Sequence, residues 1–394
     1  MKVFLFGYFE KPTGMAPVKR TLCLAKGLVA AGAEVEIDVI HWFFQGAQIV
    51  DFPAEGEEDG VKYCFVNGKK NYRNGIELRL DLKWRDRRGA VQYVLTHVNE
   101  GDVVYIYSGN SCDIQALAAA AHRRNAKAVL ELVEIPYYGD DLKSRLFRWI
   151  QGRYLFPKLD GFTCISEELV KYARAHASKT ALITKIPIMV EPRKTTLQGS
   201  GLSVPYIVHT GTMLERKDGI STILKAFAEA KKSDRSGCKL VFAGPHSNER
   251  CAFIPLMEKL GIREDVILAG MIKDAHRLCS LQQHAAMSIV YRYDNLQTRC
   301  GFSTKMGEIL ASGVPLITTP VGGQREYLEN GKNAFVVEPG NVAQLAETIE
   351  YILTHHEQAK AVGAAGKELA DEVFSPKCQG KRLSEFFIEM IKRR

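Results

Sequence analysis

Residues 300–320 read CGFSTKMGEILASGVPLITTP. Gly301 makes a glycine turn, and Ser303 or Thr304 can open a helix because a short hydroxyl side chain accepts from the first orphan amides. Gly313 stops that helix, since glycine enters the left-handed C-terminal cap without a Cβ clash. The apolar run at residues 315–318 then reads as a buried strand. A helix start after a glycine turn presents several unpaired N–H groups and a partial positive charge, which suits a diphosphate. Glu308 stands one helical turn further on, on the face of Thr304. A carboxylate there can accept hydrogen bonds from vicinal hydroxyls such as a ribose diol while the amides hold the phosphates.

The same rhythm of short β-rich runs and helical patterns continues in both directions along the 394 residues. Strands are expected at residues 3–6, 35–40, 103–107, 128–132 and 161–165. A second set is expected at 205–209, 239–243, 266–268, 287–290, 315–318 and 334–337. Helical patterns fill the gaps, for example at 18–31, 219–232, 274–284 and 342–355. A polar stretch containing Gly, Ser and Pro, residues 191–205, separates the two sets. The tail from Ser375 runs amphipathically through Leu383, Phe386, Phe387, Met390 and Ile391. The expected architecture is α/β, with two Rossmann-like doubly wound domains facing a central cleft. One would span residues 1–190, joined by a C-terminal helix over 375–394, and the other residues 191–374.

Composition narrows the chemistry. Lys and Arg number 53 against 45 Asp and Glu, a formal charge of +8 that suits phosphate-bearing substrates or an anionic surface. Nine cysteines occur with no C-x-x-C pair, so free thiols are expected rather than a metal site or a disulfide framework. The histidines form no H-E-x-x-H or H-x-H pair and no Asp-x-Asp motif occurs, so no metal is expected. Gly7 and Gly14 do not build G-x-G-x-x-G, which argues against a nicotinamide enzyme. No apolar run reaches the roughly 18 residues that span a bilayer, and the opening MKVFLFGYFEK is too short for a signal core. A cytoplasmic protein is expected, without nucleic-acid partners. Residues 142–158, LKSRLFRWIQGRYLFPK, mix aromatic, aliphatic and basic side chains in the manner of a helix lying on an anionic membrane. A core-facing helix with solvated arginines is the alternative.

A second motif, residues 208–219, reads VHTGTMLERKDG. Together with residues 300–320 it resembles the retaining GT-B glycosyltransferases of the glycogen- and sucrose-synthase-like family, glycosyl transferases group 1. The family's E-G-F-G-x-x-x-x-E-A-x-A-x-G-x-P-V is matched at Gly301, Phe302, Glu308, Ala311, Gly313 and Pro315. The form G-F-x-T-K-x-x-E-x-L-A-x-G-x-P is similar to a branch that makes bacterial surface polysaccharides. The family's G-R-L-x-x-x-K-G is matched by Gly211 and Lys217, with Thr212 where the arginine stands. The first motif glutamate is Cys300 here, and Asp294 and Asn295 are the neighbouring polar side chains.

This resemblance implies transfer of a sugar from a nucleotide-sugar donor, UDP- or GDP-linked, to a saccharide or lipid-linked acceptor hydroxyl, with retention and no cofactor. It implies donor binding by Gly14, Gly211, Thr212, Lys217, Gly244, Met271, Phe302, Ser303, Thr304 and Glu308. Lys217 would neutralise the leaving diphosphate, and Arg216 could add a second charge. Glu134, with Glu131 as the alternative, would orient the acceptor hydroxyl or take its proton. Polysaccharide or glycolipid synthesis at the inner face of a membrane would follow. A nucleotide-sugar epimerase of this fold, or a non-catalytic binding protein, are the competing readings.

Overall fold

The computed structural model describes the chain apart from residues 9–15, 42–52, 69–83, 138, 140, 192–196, 245–251 and 394. Two compact units form, one from Met1–Met189 with Pro376–Arg394, the other from Val190–Ser375.

In the first unit eight strands, β1 (Lys2–Tyr8), β2 (Glu34–His41), β3 (Glu55–Glu58), β4 (Val61–Phe65), β5 (Val103–Tyr107), β6 (Lys127–Leu132), β7 (Gly161–Cys164) and β8 (Leu182–Lys185), make one sheet. Their order is β3-β4-β2-β1-β5-β6-β7-β8. All neighbours run parallel except β3 and β4, which are joined by Asp59-Gly60. Both turn residues have positive φ, 53° and 77°, as a tight hairpin with right-twisted strands requires. The second unit holds β9 (Tyr206–Thr210), β10 (Lys239–Ala243), β11 (Val266–Gly270), β12 (Met287–Val290), β13 (Leu316–Thr318) and β14 (Phe335–Val336). These are ordered β11-β10-β9-β12-β13-β14 and all parallel. Strand order therefore reverses between β9 and β12, and a crevice opens outside their C-terminal ends.

The helices used below are α1 (Ala16–Ala30), α2 (Leu142–Ile150), α3 (Glu167–His176), α4 (Glu215–Asp218), α5 (Ile220–Ala230), α6 (Ala275–Gln283), α7 (Leu296–Cys300), α8 (Thr304–Ser312), α9 (Val342–Thr354), α10 (His356–Val373) and α11 (Pro376–Lys392). α11 covers the first unit's core through Leu383, Phe386, Phe387 and Met390, which pack with Leu24 and Leu28 of α1. In the second unit Ile223, Phe227, Leu345 and Ile349 bring α5 and α9 together over β9 and β10. α3 starts at Ser166, whose Oγ accepts from the Leu169 amide at 3.4 Å, the capping role its position suggests.

Two segments depart from the periodicity. α2 ends at Ile150, and residues 151–158 continue as a π turn and a 3₁₀ turn instead of one long helix. Phe156 is fully buried against Phe162 and Tyr172, and seating it re-aims the backbone while Pro157 offers no amide to an α ladder. α10 is a second surprise. Its AVGAAG centre carries too little apolar bulk to register as an amphipathic pattern, yet its glycines let the helix approach the Gly313 and Asn333 backbone.

Candidate functional site

Loops leaving the C-terminal ends of β9, β10 and β11 converge in the second unit. The Gly211 amide donates to Ala243 O at 2.8 Å, and the Gly244 amide to Gly270 O at 2.8 Å. A side chain at 244 would run into the Gly211 carbonyl, so the two loops meet backbone to backbone. Gly211 itself adopts φ +152°, and a Cβ there would fall on Lys305 Nζ. Thr212 is half-buried beside it, and Met271 follows β11 with 58% of its surface exposed.

The 211–219 loop is held from both ends. Glu215 accepts from the Ser221 amide at 2.9 Å and from Ser221 Oγ at 2.6 Å, while Asp218 Oδ2 accepts from the Leu214 amide at 3.2 Å. This leaves Lys217 half-buried and Arg216 exposed on α4. Arg216 uses its carbonyl to hold Asn295 Nδ2 at 3.1 Å, and Asn295 also caps α7. Asp294 is exposed and paired with Arg299 at 2.8 Å. Cys300 is buried as the last residue of α7, 5% exposed.

α8 starts as expected, with Ser303 at its N-cap and Gly313 at φ +75° behind it. The cap hydroxyl is not used on the helix. Ser303 Oγ instead accepts from Arg292 at 3.1 Å. The Phe302 ring stacks on Tyr327 with centroids 5.7 Å apart and meets Phe374 edge-on, so only its backbone is available to a ligand. Gly301 has spent its amide on Gln297 O at 3.2 Å. The first amides of α8 have no acceptor within their own helix. Glu308 is half-buried beside Glu191, Cys279, Gln282, Gln283 and Ser312, on the side of α8 that faces α6.

Two cations that the motif reading did not assign complete this edge. Arg292, 8% exposed, follows β12; its guanidinium lies 3.7 Å from Asp218 Oδ1 as well as on Ser303. Lys305 reaches from α8 to Gly211. Burial lowers the Lys305 pKa to about 8; Asp218 acts in the opposite direction, while Arg292 and Lys217 add to the lowering. Burial would raise the Asp218 carboxyl, but Arg292, His209 and Lys305 hold it below the usual carboxylate range. His209, on β9, is pushed by burial down to about 4 and is neutral near pH 7. The only local signal for Arg292 is its place two residues past a strand end at the switch point.

In the first unit Glu134 is exposed at the turn after β6. Glu131 is excluded as its alternative. Its carboxylate is buried in an ion pair with Arg20, whose Nε donates at 2.6 Å, and it accepts from Tyr105 and Thr163 as well. Gly14 lies outside the described residues. Thus the structure gathers Gly211, Thr212, Gly244 and Ser303 around Lys305, with Lys217 nearby, while Glu308 faces the α6 side and Phe302 packs inward.

Comparison with known proteins places this geometry. Residues 200–369 match the family model for glycosyl transferases group 1. EpsD of Bacillus subtilis is 30% identical over 287 residues, which cover 69% of this chain and 72% of EpsD. Among solved structures, sucrose-phosphate synthase from Thermosynechococcus elongatus superposes with a TM-score of 0.73 at 16% identity, covering all of both chains. HepE of Anabaena, solved in complex with UDP-glucose, gives 0.70 at 14% identity, covering 99% of this chain and 100% of HepE. The two units are the Rossmann-like halves of a GT-B fold. The chain belongs to the group 1 glycosyl transferases and is a glycosyltransferase.

Proposed function

We propose that the chain transfers a sugar from a nucleoside-diphosphate sugar, UDP- or GDP-linked, to a hydroxyl of a saccharide or lipid-linked acceptor, with retention of configuration and no metal. The observation that carries this is the switch-point edge, where the α8 N-terminus, Gly211 and Lys217 are brought together. Helix amides and an ammonium form a site for a diphosphate. The fold-related HepE binds UDP-glucose, which supports the same donor class here. Residues 191–374 would bind the donor and residues 1–190 the acceptor.

In the reaction the bond between the anomeric carbon and the diphosphate oxygen breaks, and its electron pair goes to that oxygen. The acceptor oxygen bonds to the anomeric carbon and gives up its proton, with Glu134 as the carboxylate that receives it. Lys217 and the amides at residues 302–304 stabilise the diphosphate as its charge grows, and Glu308 holds the ribose diol. Bacterial surface polysaccharide or glycolipid synthesis is the process that the G-F-x-T-K-x-x-E form supports. Thermal-shift titration with UDP, GDP and their sugars tests the donor. A ligand at about 100 times its Kd adds about 2.7 kcal/mol, a rise of roughly 5–10 °C in the second unit's melting temperature. If no nucleoside diphosphate or nucleotide sugar moves the transition, the donor reading is wrong.

α2 supports docking on an anionic membrane at the inner face. None of its residues is buried; Leu142, Leu146 and Trp149 are 82%, 52% and 56% exposed, with Lys143 and Arg145 beside them. Arg148 is committed elsewhere, donating to the Tyr137 and Gly139 carbonyls. Each basic side chain at such a surface contributes about 1 kcal/mol, so Lys143→Gln with Arg145→Gln should weaken binding to phosphatidylserine vesicles by about 30-fold. Unchanged vesicle binding would remove α2 as the docking element. Among the described residues no helix is long and apolar enough to cross a membrane.

A further inference from the structure

Lys305 is the second residue of α8, and helical side chains lean back toward the N-terminus of their helix. That direction carries its stem out of α8 and over the Gly211 backbone, where its Nζ occupies the place of a missing side chain. Among the described residues no hydrogen-bond or ion-pair partner stands against that ammonium. The opposing charge that acts on it most strongly, Asp218, is shared with Arg292 and with the Leu214 amide. His209 Nε2 lies 3.6 Å from where a Cβ of residue 211 would stand. His209 is 2% exposed and its Nε2 has no partner, while its Nδ1 is 2.9 Å from Ile289 O. With Nδ1–H donating to that carbonyl, Nε2 is left as a buried acceptor facing the same point. Thr210 Oγ1 is a further buried oxygen without a partner.

Lys305 is half-buried, and an ammonium partly removed from water without an ion-pair partner is poorly compensated. Such an arrangement is maintained where an anion supplies the missing partner. Its place is informative too. Gly211 directly precedes Thr212, where the motif's arginine is absent, so the α8 ammonium stands one residue from that position.

We propose that Lys305 is the second cation of the donor site, replacing the arginine absent at Thr212 and hydrogen-bonding the diphosphate as it leaves. The proposal rests on the donor reading above. When the sugar–diphosphate bond breaks, its electron pair moves to the β-phosphate oxygen; Lys305 stays protonated and donates to that oxygen group. Lys217 from α4 and Lys305 from α8 then act on the same diphosphate. The free protein carries this ammonium with a pKa of about 8, among Arg292 and Lys217 on one side and Asp218, Glu308 and neutral His209 on the other. A bound diphosphate favours the charged form, so binding above that pH must take up a proton.

Calorimetric titration of the full chain with UDP and GDP, and with uridine and guanosine as controls, tests this. Wild-type affinity for the diphosphate should fall by up to about tenfold per unit as pH rises from about 8 to 9, with proton uptake on binding. Lys305→Met should lose about 10–100-fold in diphosphate affinity near neutral pH while nucleoside binding is unchanged. Lys305→Arg, which cannot lose its charge, should keep binding within a few-fold and lose the pH dependence; it also holds the base's own titration constant. A Lys305→Met protein that binds the diphosphate as tightly as wild type, or a wild type flat across this range, overturns the proposal alone. A wild type that binds no nucleoside diphosphate overturns the donor reading and the proposal together.

Discussion

Lys217→Ala should lower kcat by about 10²–10³-fold, and Glu308→Ala should raise the donor KM by about 10–100-fold with a smaller effect on kcat. The two differ because their partners differ in when charge appears. In the proposed donor site Lys217 would face a diphosphate whose negative charge grows as the glycosidic bond breaks, so its contribution would be larger in the transition state than in the bound donor. Glu308, as proposed, would accept from ribose hydroxyls that do not change during the reaction, so removing it would weaken ground state and transition state alike. Neither side chain belongs to the buried core: both are half-buried, Lys217 on a four-residue helix and Glu308 on the side of α8 that faces α6. Melting temperatures should therefore stay within a degree or two of wild type. Steady-state kinetics of transfer or donor hydrolysis with the sugar nucleotide selected by thermal shift decides the matter. If both variants kept full kcat and KM, the donor site would have to lie elsewhere on the molecule.

A larger loss of stability is expected in the first unit. Arg20 and Glu131 are 3% and 0% exposed at their side chains, and Arg20 also donates to Pro187 O at 2.7 Å and to Ile186 O at 2.8 Å. The guanidinium thus ties α1 to β6 and to the segment after β8. Removing it leaves a carboxylate in the interior with only the Tyr105 and Thr163 hydroxyls, and two carbonyls without donors. Arg20→Met should destabilise the unit by about 3–5 kcal/mol. Glu131→Leu alone should cost a similar amount, since the charge it abandons is equally buried. The double variant should recover most of the loss, because packing one apolar pair replaces a desolvated ionic one. Denaturant unfolding followed by circular dichroism measures all three. Additive losses in the double variant would show that the two residues are not coupled. The folded fraction of Glu131→Gln should turn over at the wild-type rate; a specific loss of kcat would instead put Glu131 in the chemistry.

Much of the fold was legible because its determinants are local. The β-rich runs of the parallel sheets, the Gly313 stop and the Ser166 start are each decided within a few residues, by side-chain period and by backbone conformations only certain residues tolerate. Motif spacing is also local, so residues 300–320 and 208–219 pointed to the family that the comparisons show. What the sequence did not reveal depended on partners that only the tertiary packing brings together. Phe156 breaks the basic helix because of Phe162 and Tyr172, which no periodicity registers. Glu131 and Glu134 lie three residues apart with the same side chain. One is neutralised by Arg20 from α1 and the other is open to solvent. Lys305 and Arg292 read as ordinary basic residues until the sheet sets them beside Gly211 and Asp218, which lie many tens of positions earlier in the chain. Charge state and availability follow from desolvation and from which opposite charges are near, and both are properties of the packed molecule. The sequence by itself determined which elements form and which family they build; only the tertiary structure decided which charges face the crevice and which are spent holding it together.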